Sequence, residues 1–212
     1  MERLRHDDPR RLGPYALVGG RLDRAGSEVR PTLHRFLGRT ADGDRTVLLS
    51  STTVRDRSAA ALHRFRAEAL AAQQLTADTP WLLPVSEVSG PVEPSAPTWN
   101  ASPYRPALPL PTVVETCGPL PLRTVLAVGT ALGEALAHLH AAGAAHAGVT
   151  ADAVLLTGEG PRLGGYGAAR ISAPDGEPRT AHPFLAPEDR SRAGAPARWG
   201  TCTRWRPSSA TR

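Results

Sequence analysis

Two stretches of the chain carry apolar residues at the spacing of an α-helix. The first covers residues 58–75, and its apolar positions are Leu62, Phe65, Ala69 and Ala72. Ser58 stands where a side-chain oxygen would cap the start of this helix. The second covers residues 122–142, and its apolar positions are Val125, Val128, Leu132, Leu136 and Leu139. We therefore predict two helices, each with one buried face, and Gly143 as the residue that ends the second.

Short apolar runs bounded by turn residues predict strands in the first half of the chain. Residues 14–22 form one such run. Residues 32–40 and 45–53 form two more, and the Ala-Asp-Gly-Asp sequence between them is typical of a turn, which predicts a hairpin. Eight prolines occur from residue 84 to residue 111. They exclude a long helix there, so short strands and a linker are predicted.

A second hairpin completes the pattern. Residues 153–157 and 161–167 are predicted to be two short strands, and Gly-Glu-Gly joins them. The order of elements is therefore strands, a helix, more strands, a linker, a long helix, a loop and a hairpin. This order predicts an α+β protein in which a small β-rich lobe precedes a helical lobe.

Composition and charge exclude several classes of function. No apolar run is long enough to cross a membrane and the charged N-terminus lacks the features of a secretory signal, so we expect a cytoplasmic protein. Four of the five net positive charges lie in residues 197–212, so we expect no nucleic-acid partner. Cys117 and Cys202 are too few for a disulfide framework or a metal cluster, and no metal site is predicted. All 25 basic residues are arginine, which excludes chemistry that needs a lysine amine.

Six segments resemble, in order and spacing, the eukaryotic-like serine/threonine protein kinases of high-GC bacteria. They lie within about residues 8–194 and are LGPYALVGGRL, LGRTADGDRTVLL, RFRAEALAAQQL, the helix and loop ending in HAGVTADAVLL, PRLGGYGAAR and FLAPED. The resemblance implies a two-lobe protein-kinase-like fold with an incomplete helical C-lobe. It divides the chain into an N-terminal extension, an N-lobe, a partial C-lobe and a tail, at residues 1–11, 12–106, 107–194 and 195–212.

The family has a phosphate-binding lysine and a glutamate on a helix that pairs with it. Ser50 stands at the position of that lysine, or Leu49 if the alignment shifts by one residue. Glu68 stands at the position of the glutamate that would pair with the lysine, and we interpret it as a remnant on a solvated helix face. Neither Ser50 nor Leu49 can neutralise a phosphate.

The catalytic loop of the family reads His-Arg-Asp-x-Lys-x-x-Asn, and most of its functional residues are replaced here. His146 is kept as a structural residue, while the remaining degenerate positions are Ala147, Gly148, Thr150 and Ala153. Gly165 replaces the metal-binding aspartate, and Tyr166 and Gly167 follow it as in the family. Asp152 lies one residue before the asparagine position and is interpreted as a solvated loop residue. Together these replacements predict a pseudokinase.

The nucleotide site is also altered. Gly26 and Val29 are the plausible remnants of the glycine-rich loop, although Asp23 and Glu28 bring negative charge to it. Val47 and Leu155 are the candidates for lining an adenine pocket. No cofactor is predicted, and ATP binding without Mg²⁺ is left open.

The last residues do not fit the family. Written with GC-rich codons, residues 194–212 encode GDVYALAAVL in another frame, which is similar to the family's next buried helix. We therefore expect a frameshift near Gly194, a non-native tail, and incomplete cover for the apolar face of residues 122–142. The structural residue Glu188 would then lack the arginine partner that the family supplies.

Three functions remain open from the sequence. The first is an inactive kinase-like domain that acts by binding another protein, such as an active kinase. The second is a divergent ATP-dependent serine/threonine kinase, in which Asp152 would matter for phosphate transfer. The third is a non-functional frameshifted gene product, for which no protein would be found in the cell.

Overall fold

The computed structural model describes residues 4, 6, 8–18, 33–52, 58–92 and 96–171. The chain forms two compact units. The first consists of residues 1–77 and 84–105, and the second of residues 78–83 and 106–212. Among the described residues, no helix is long and apolar enough to cross a bilayer. The predictions for Gly26, Val29, Glu188 and residues 195–212 lie outside the described residues.

The described residues of the first unit form an antiparallel sheet and one helix. Its strands are β1 (Arg11–Leu12), β2 (Tyr15–Leu17), β3 (Leu33–Arg39), β4 (Thr46–Thr52), β5 (Glu87–Val88) and β6 (Trp99–Pro103). They lie in the order β1-β2-β3-β4-β6-β5. The predicted hairpin is confirmed as β3 and β4, in which Leu37 faces Leu48. Its turn is closed by the Asp42 carboxylate, which accepts from the backbone N–H of Asp44 at 3.1 Å.

Helix α1 (Ala59–Leu75) confirms the first helix prediction. The Ser58 hydroxyl accepts a hydrogen bond from the backbone N–H of Ala61 at 3.1 Å and so caps the helix. The four predicted apolar positions are all buried. At the other end, the Thr76 hydroxyl donates to the carbonyl of Ala72 at 2.6 Å and accepts from the N–H of Val85 at 3.1 Å. The helix is therefore fixed at both ends by side-chain oxygen atoms.

One face of this sheet carries a buried aromatic cluster. The Tyr15 and Trp99 rings meet edge to face at 5.6 Å between centroids, and Leu12, Phe36 and Leu49 surround them. Gly13 allows this packing, because a Cβ atom there would lie 2.2 Å from the indole of Trp99. Gly13 also has φ +56°, which glycine adopts at little cost.

The second unit is a three-stranded sheet with helices. Its strands are β7 (Ala107–Pro109), β8 (Val154–Thr157) and β9 (Gly160–Leu163), and its helices are α2 (Leu110–Cys117), α3 (Leu122–Ala141) and α4 (Ala168–Ile171). The strand order β7-β8-β9 is antiparallel throughout, and β8 with β9 confirms the second predicted hairpin. Helix α2 was not predicted, since prolines dominate its surroundings. Pro111 lies in its first turn, where the missing N–H costs nothing.

Helix α3 confirms the second helix prediction, and its end is set by Gly143. Gly143 has φ +74°, its N–H donates to the carbonyl of His140 at 3.0 Å, and the N–H of Ala144 donates to that of Leu139 at 2.9 Å. This pair of bonds is the expected glycine-ended helix stop. The apolar face is buried at Val128, Leu132 and Leu139 and half-buried at Leu136.

Val125 lies at the exposed start of the apolar face of α3, for which the sequence predicts incomplete cover. Its side chain is 40% exposed, and Leu122 and Leu126 are 72% and 61% exposed. Every residue from 122 to 127 is exposed. The first turns of α3 therefore have apolar residues at the spacing of a buried helix, but these residues are exposed.

A short segment from residue 81 to residue 83 runs beside β9. Leu82 and Leu163 pair in parallel, the N–H of Leu163 donates to the carbonyl of Trp81 at 2.7 Å, and the N–H of Leu83 donates to that of Leu163 at 2.9 Å. The indole N–H of Trp81 donates to the Glu134 carboxylate of α3 at 2.6 Å. These bonds fix β9, which leads directly into Gly164 and Gly165.

We predict that alkaline unfolding of the first unit depends on Tyr15. Burial and the hydrogen bond to the Glu87 carboxylate raise the pKa of Tyr15 from 10.0 to about 12. The folded state therefore holds the phenol proton more tightly than the unfolded state. This contribution to stability is complete below pH 10 and is lost as the pH rises through 12. Tyr15→Phe should lower the free energy of unfolding at pH 7 by about 1–2 kcal/mol and weaken its decline above pH 10.

The matched control is Tyr104→Phe, which removes the hydroxyl of a tyrosine that is 40% exposed. Urea unfolding followed by tryptophan fluorescence from pH 7 to pH 12 measures both effects. Identical pH profiles for the wild type and Tyr15→Phe would contradict the assignment.

Candidate functional site

The candidate catalytic loop connects α3 to β8 and is a buried segment. His146, Ala147 and Val149 are 0%, 0% and 1% exposed, and Gly148 is also buried. Thr150, at the position of the family's lysine, has a local structural role. Its hydroxyl accepts from the N–H of Ala153 at 3.2 Å and caps the 3₁₀ turn Ala151–Ala153.

A second segment, residues 164–167, lies against this loop. The N–H of Gly164 donates to the carbonyl of Ala153, and the N–H of Gly167 donates to that of His146, both at 2.8 Å. The His146 and Tyr166 rings meet edge to face at 5.8 Å between centroids. The degenerate positions of the loop are thus brought next to Gly165, and backbone hydrogen bonds and this ring contact join the two segments.

Gly148 lies so close to Gly165 that it has no room for a side chain, whereas a Cβ atom on Gly165 would make ordinary contacts but would have a strained backbone conformation. A Cβ atom on Gly148 would lie 2.1 Å from the carbonyl oxygen of Gly165 and 3.2 Å from the Cβ of Ala168. Gly165 has φ +74°, in the left-handed region that favours glycine. The resemblance described above implies that these are the positions of the family's catalytic and metal-binding aspartates.

Ala147 lies at a strained point of the loop. Its φ is +52°, and it is the one non-glycine residue with a positive φ among the described residues. An L-residue in this conformation costs about 1–2 kcal/mol. Since Ala147 is fully buried, the packing around the loop has to offset that cost.

The loop offers one carboxylate, that of Asp152. It is exposed, on the 3₁₀ turn one residue before the buried Ala153. Among the described residues, no three His, Cys, Asp or Glu side chains gather as metal ligands would. The Mg²⁺–nucleotide complex that the fold implies does not fit the residues present, because Gly165 and Ala153 supply no side-chain oxygen atom where that complex would need one.

In the first unit, Ser50 and Val47 lie on opposite faces of β4. Val47 is 5% exposed and belongs to the aromatic cluster with Leu49. Ser50 is half-buried and pairs with Arg35 and Asn100. Because side chains alternate along a strand, Ser50 and Val47 cannot line one surface.

Leu48 and Leu37 lie on the Ser50 face and were missed by the sequence reasoning. They face each other across β3 and β4, and Leu37 is 7% exposed. The signal was available, since counting two residues back from Ser50 gives Leu48 on the same face.

The two remaining candidates lie in different units. Glu68 is a half-buried residue on α1 in the first unit. Leu155 is half-buried on β8 in the second, where it faces Pro109 on one side and Arg162 on the other. The Arg162 guanidinium binds the Glu159 carboxylate at 3.1 Å, so a cation paired with an acid stands next to Leu155.

Comparison with known proteins supports homology to bacterial serine/threonine protein kinases. The chain is 29% identical over 204 residues to the serine/threonine-protein kinase AfsK of Streptomyces coelicolor, and equally to AfsK of Streptomyces griseus. The matches cover 92% of this chain and 24% of each relative. The chain thus spans about a quarter of the length of these relatives. No protein-family model matches it.

Solved structures establish the fold. The kinase domain of Mycobacterium tuberculosis PknI superimposes with a TM-score of 0.60 at 23% identity, over 76% of this chain and 61% of that domain. A second crystal structure of the same domain gives a TM-score of 0.60 over 77% of this chain and 62% of that domain. The chain therefore has a protein-kinase-like α+β fold, as the sequence predicted, with a curled antiparallel sheet and a partial helical C-lobe.

We predict that Gly148→Ala destabilises the second unit while Gly164→Ala does not. A methyl group at position 148 would overlap the carbonyl of Gly165, whereas one at position 164 would meet Leu83 at an ordinary 3.5 Å. The free energy of unfolding should fall by about 2–3 kcal/mol for Gly148→Ala and change by less than about 0.5 kcal/mol for Gly164→Ala. Urea unfolding measures both, and equal losses in the two variants would show that the contact is not specific.

Proposed function

We propose that this chain is a cytoplasmic, catalytically inactive protein-kinase-like domain that acts by binding another protein. The observation that carries the proposal is the composition of the buried loop. The segments 144–153 and 164–168 contain one carboxylate and no cationic residue apart from histidine. Phosphoryl transfer depends on positioned charges, and the loss of each one costs orders of magnitude in rate.

The missing lysine supports the same proposal. The chain has no lysine at any of its 212 positions, and the serine at the family's lysine position carries no charge. A serine hydroxyl can donate one hydrogen bond, but it cannot offset the charge of a triphosphate. A kinase mechanism would need an arginine to take over this role.

The loop itself supports a structural role for these residues. Ala147, Gly148 and Val149 are buried and have no group that could accept a proton. Thr150 caps a turn, and the rings of His146 and Tyr166 pack together. A general base has to reach the substrate hydroxyl, so these residues fit a structural loop better than a catalytic one.

A binding role needs a folded domain, and this chain has a protein-kinase-like fold; it does not need the charges that phosphate transfer requires. The proposed partner is a protein, and an active serine/threonine kinase from the same cell is the first candidate. The relatives named above are serine/threonine kinases, and inactive relatives of an enzyme can regulate it by contact.

We predict that the purified 212-residue protein incorporates no labelled phosphate from ATP into itself or into a generic protein substrate. Asp152→Asn, which removes the one loop carboxylate, should leave this background unchanged. The measurement is scintillation counting with and without Mg²⁺, against an active kinase domain as the positive control. Incorporation by the wild type that Asp152→Asn abolishes would instead establish a divergent kinase.

The binding role has its own test. The protein is mixed with active serine/threonine kinases from the same organism, and association is followed by light scattering after gel filtration. We expect a complex with at least one of them and a change in the rate at which that kinase transfers phosphate. If no complex forms, and no protein is detected in the cell by immunoblotting, the third function considered above, a non-functional gene product, replaces the proposal.

A further inference from the structure

We infer that, because of the backbone contact between Gly148 and Gly165, substituting the family's acidic residues back into this chain would not restore the metal site. The family's acidic residues cannot return to these positions unless the loop is rebuilt. Any nucleotide that this domain binds is therefore bound without a divalent cation. This inference rests on the proposed function and extends it, because it states why the inactive state is fixed.

The first step is steric. The Cβ of any residue at position 148 would lie 2.1 Å from the carbonyl oxygen of Gly165. The atom in the way belongs to the backbone, so no side-chain rotation can move it aside. One of the two chain segments has to shift before an aspartate can be accommodated.

Hydrogen bonds restrict any shift of the segment that contains Gly165. On the Gly165 side, the N–H of Gly164 donates to the carbonyl of Ala153, and the N–H of Gly167 donates to that of His146. The carbonyl of Gly165 itself accepts from the N–H of Ala168 at 3.1 Å. The contact therefore lies between hydrogen bonds on both sides, and moving Gly165 away from Gly148 would break at least one of them.

The third step is electrostatic. An aspartate at position 148 would bring a negatively charged carboxylate towards a carbonyl oxygen, whose partial negative charge repels it. The segments 144–153 and 164–168 contain no arginine that could pair with it. Because Gly148 is buried, the carboxylate would also lose its hydration. The same position therefore disfavours an acidic side chain by shape and by charge.

Position 165 adds a conformational barrier. Its φ of +74° is strained for any residue with a side chain, and a Cβ there would lie 3.7 Å from the Cβ of Ala153. An asparagine at the buried position 153 would enlarge the side chain beside it. The three substitutions that restore the family pattern thus interfere with one another within one small region.

The test compares Gly148→Asp with Gly158→Asp. A Cβ atom on Gly158 would have no other atom within 4 Å, and its φ lies outside the left-handed region, so this position receives the same carboxylate without the contact. We expect Gly148→Asp to lower the melting temperature by about 10 °C or more and Gly158→Asp by less than about 2 °C. Equal melting temperatures for the two variants would overturn the inference.

The second measurement uses ADP as the probe. Its binding to the wild type and to Gly148→Asp/Ala153→Asn/Gly165→Asp is followed by calorimetry, with MgCl₂ or with EDTA. For the wild type we expect either no binding or a Kd that Mg²⁺ changes by less than about twofold. The triple variant should show no gain in binding with Mg²⁺, and failure of this variant to fold is the outcome that the steric argument expects.

Two results separate this inference from the proposed function. A folded triple variant that binds ADP more tightly with Mg²⁺, while the wild type transfers no phosphate, would overturn the inference and leave the proposed function standing. Phosphate transfer by the wild type would overturn the proposed function directly, whatever the variants do.

Discussion

The candidate site is organised by one close contact between two backbone segments. Gly148 lies against the carbonyl of Gly165, and a Cβ atom would fit at neither residue without strain. The hydrogen bonds from Gly164 and Gly167 to the loop hold the two segments at this distance. This conformation requires a residue without a side chain at position 148, so it excludes an aspartate there.

The protein keeps a kinase-like fold because the fold depends on other interactions. The first unit contains the buried Tyr15–Trp99 cluster, and in the second Leu82 pairs with Leu163. None of these needs a lysine, an aspartate or a metal ion. The kinase-like fold therefore does not by itself show whether the domain is active.

Local signals made most of the elements predictable from the sequence. The cap of α1 at Ser58 and the end of α3 at Gly143 each depend on residues within a single helical turn. Helix α2 was not predicted, because a dense run of prolines indicates a break in helical structure. Pro111, however, lies in the first turn, where a proline is tolerated. The separation of Val47 from Ser50 was within reach of strand alternation. The approach of Gly148 to Gly165 could not be predicted, because it depends on how the chain folds between the two residues and no local sequence pattern indicates it.

The most direct test of the account is whether the protein and a nucleotide hold a metal ion together. Mn²⁺ can stand in for Mg²⁺, and the electron paramagnetic resonance signal of free Mn²⁺ can be titrated with ADP in the presence and absence of the 212-residue protein. We predict that the protein removes no Mn²⁺ beyond what ADP alone binds. A further loss of free Mn²⁺ at a ratio of one ion per protein, and only when ADP is present, would contradict it.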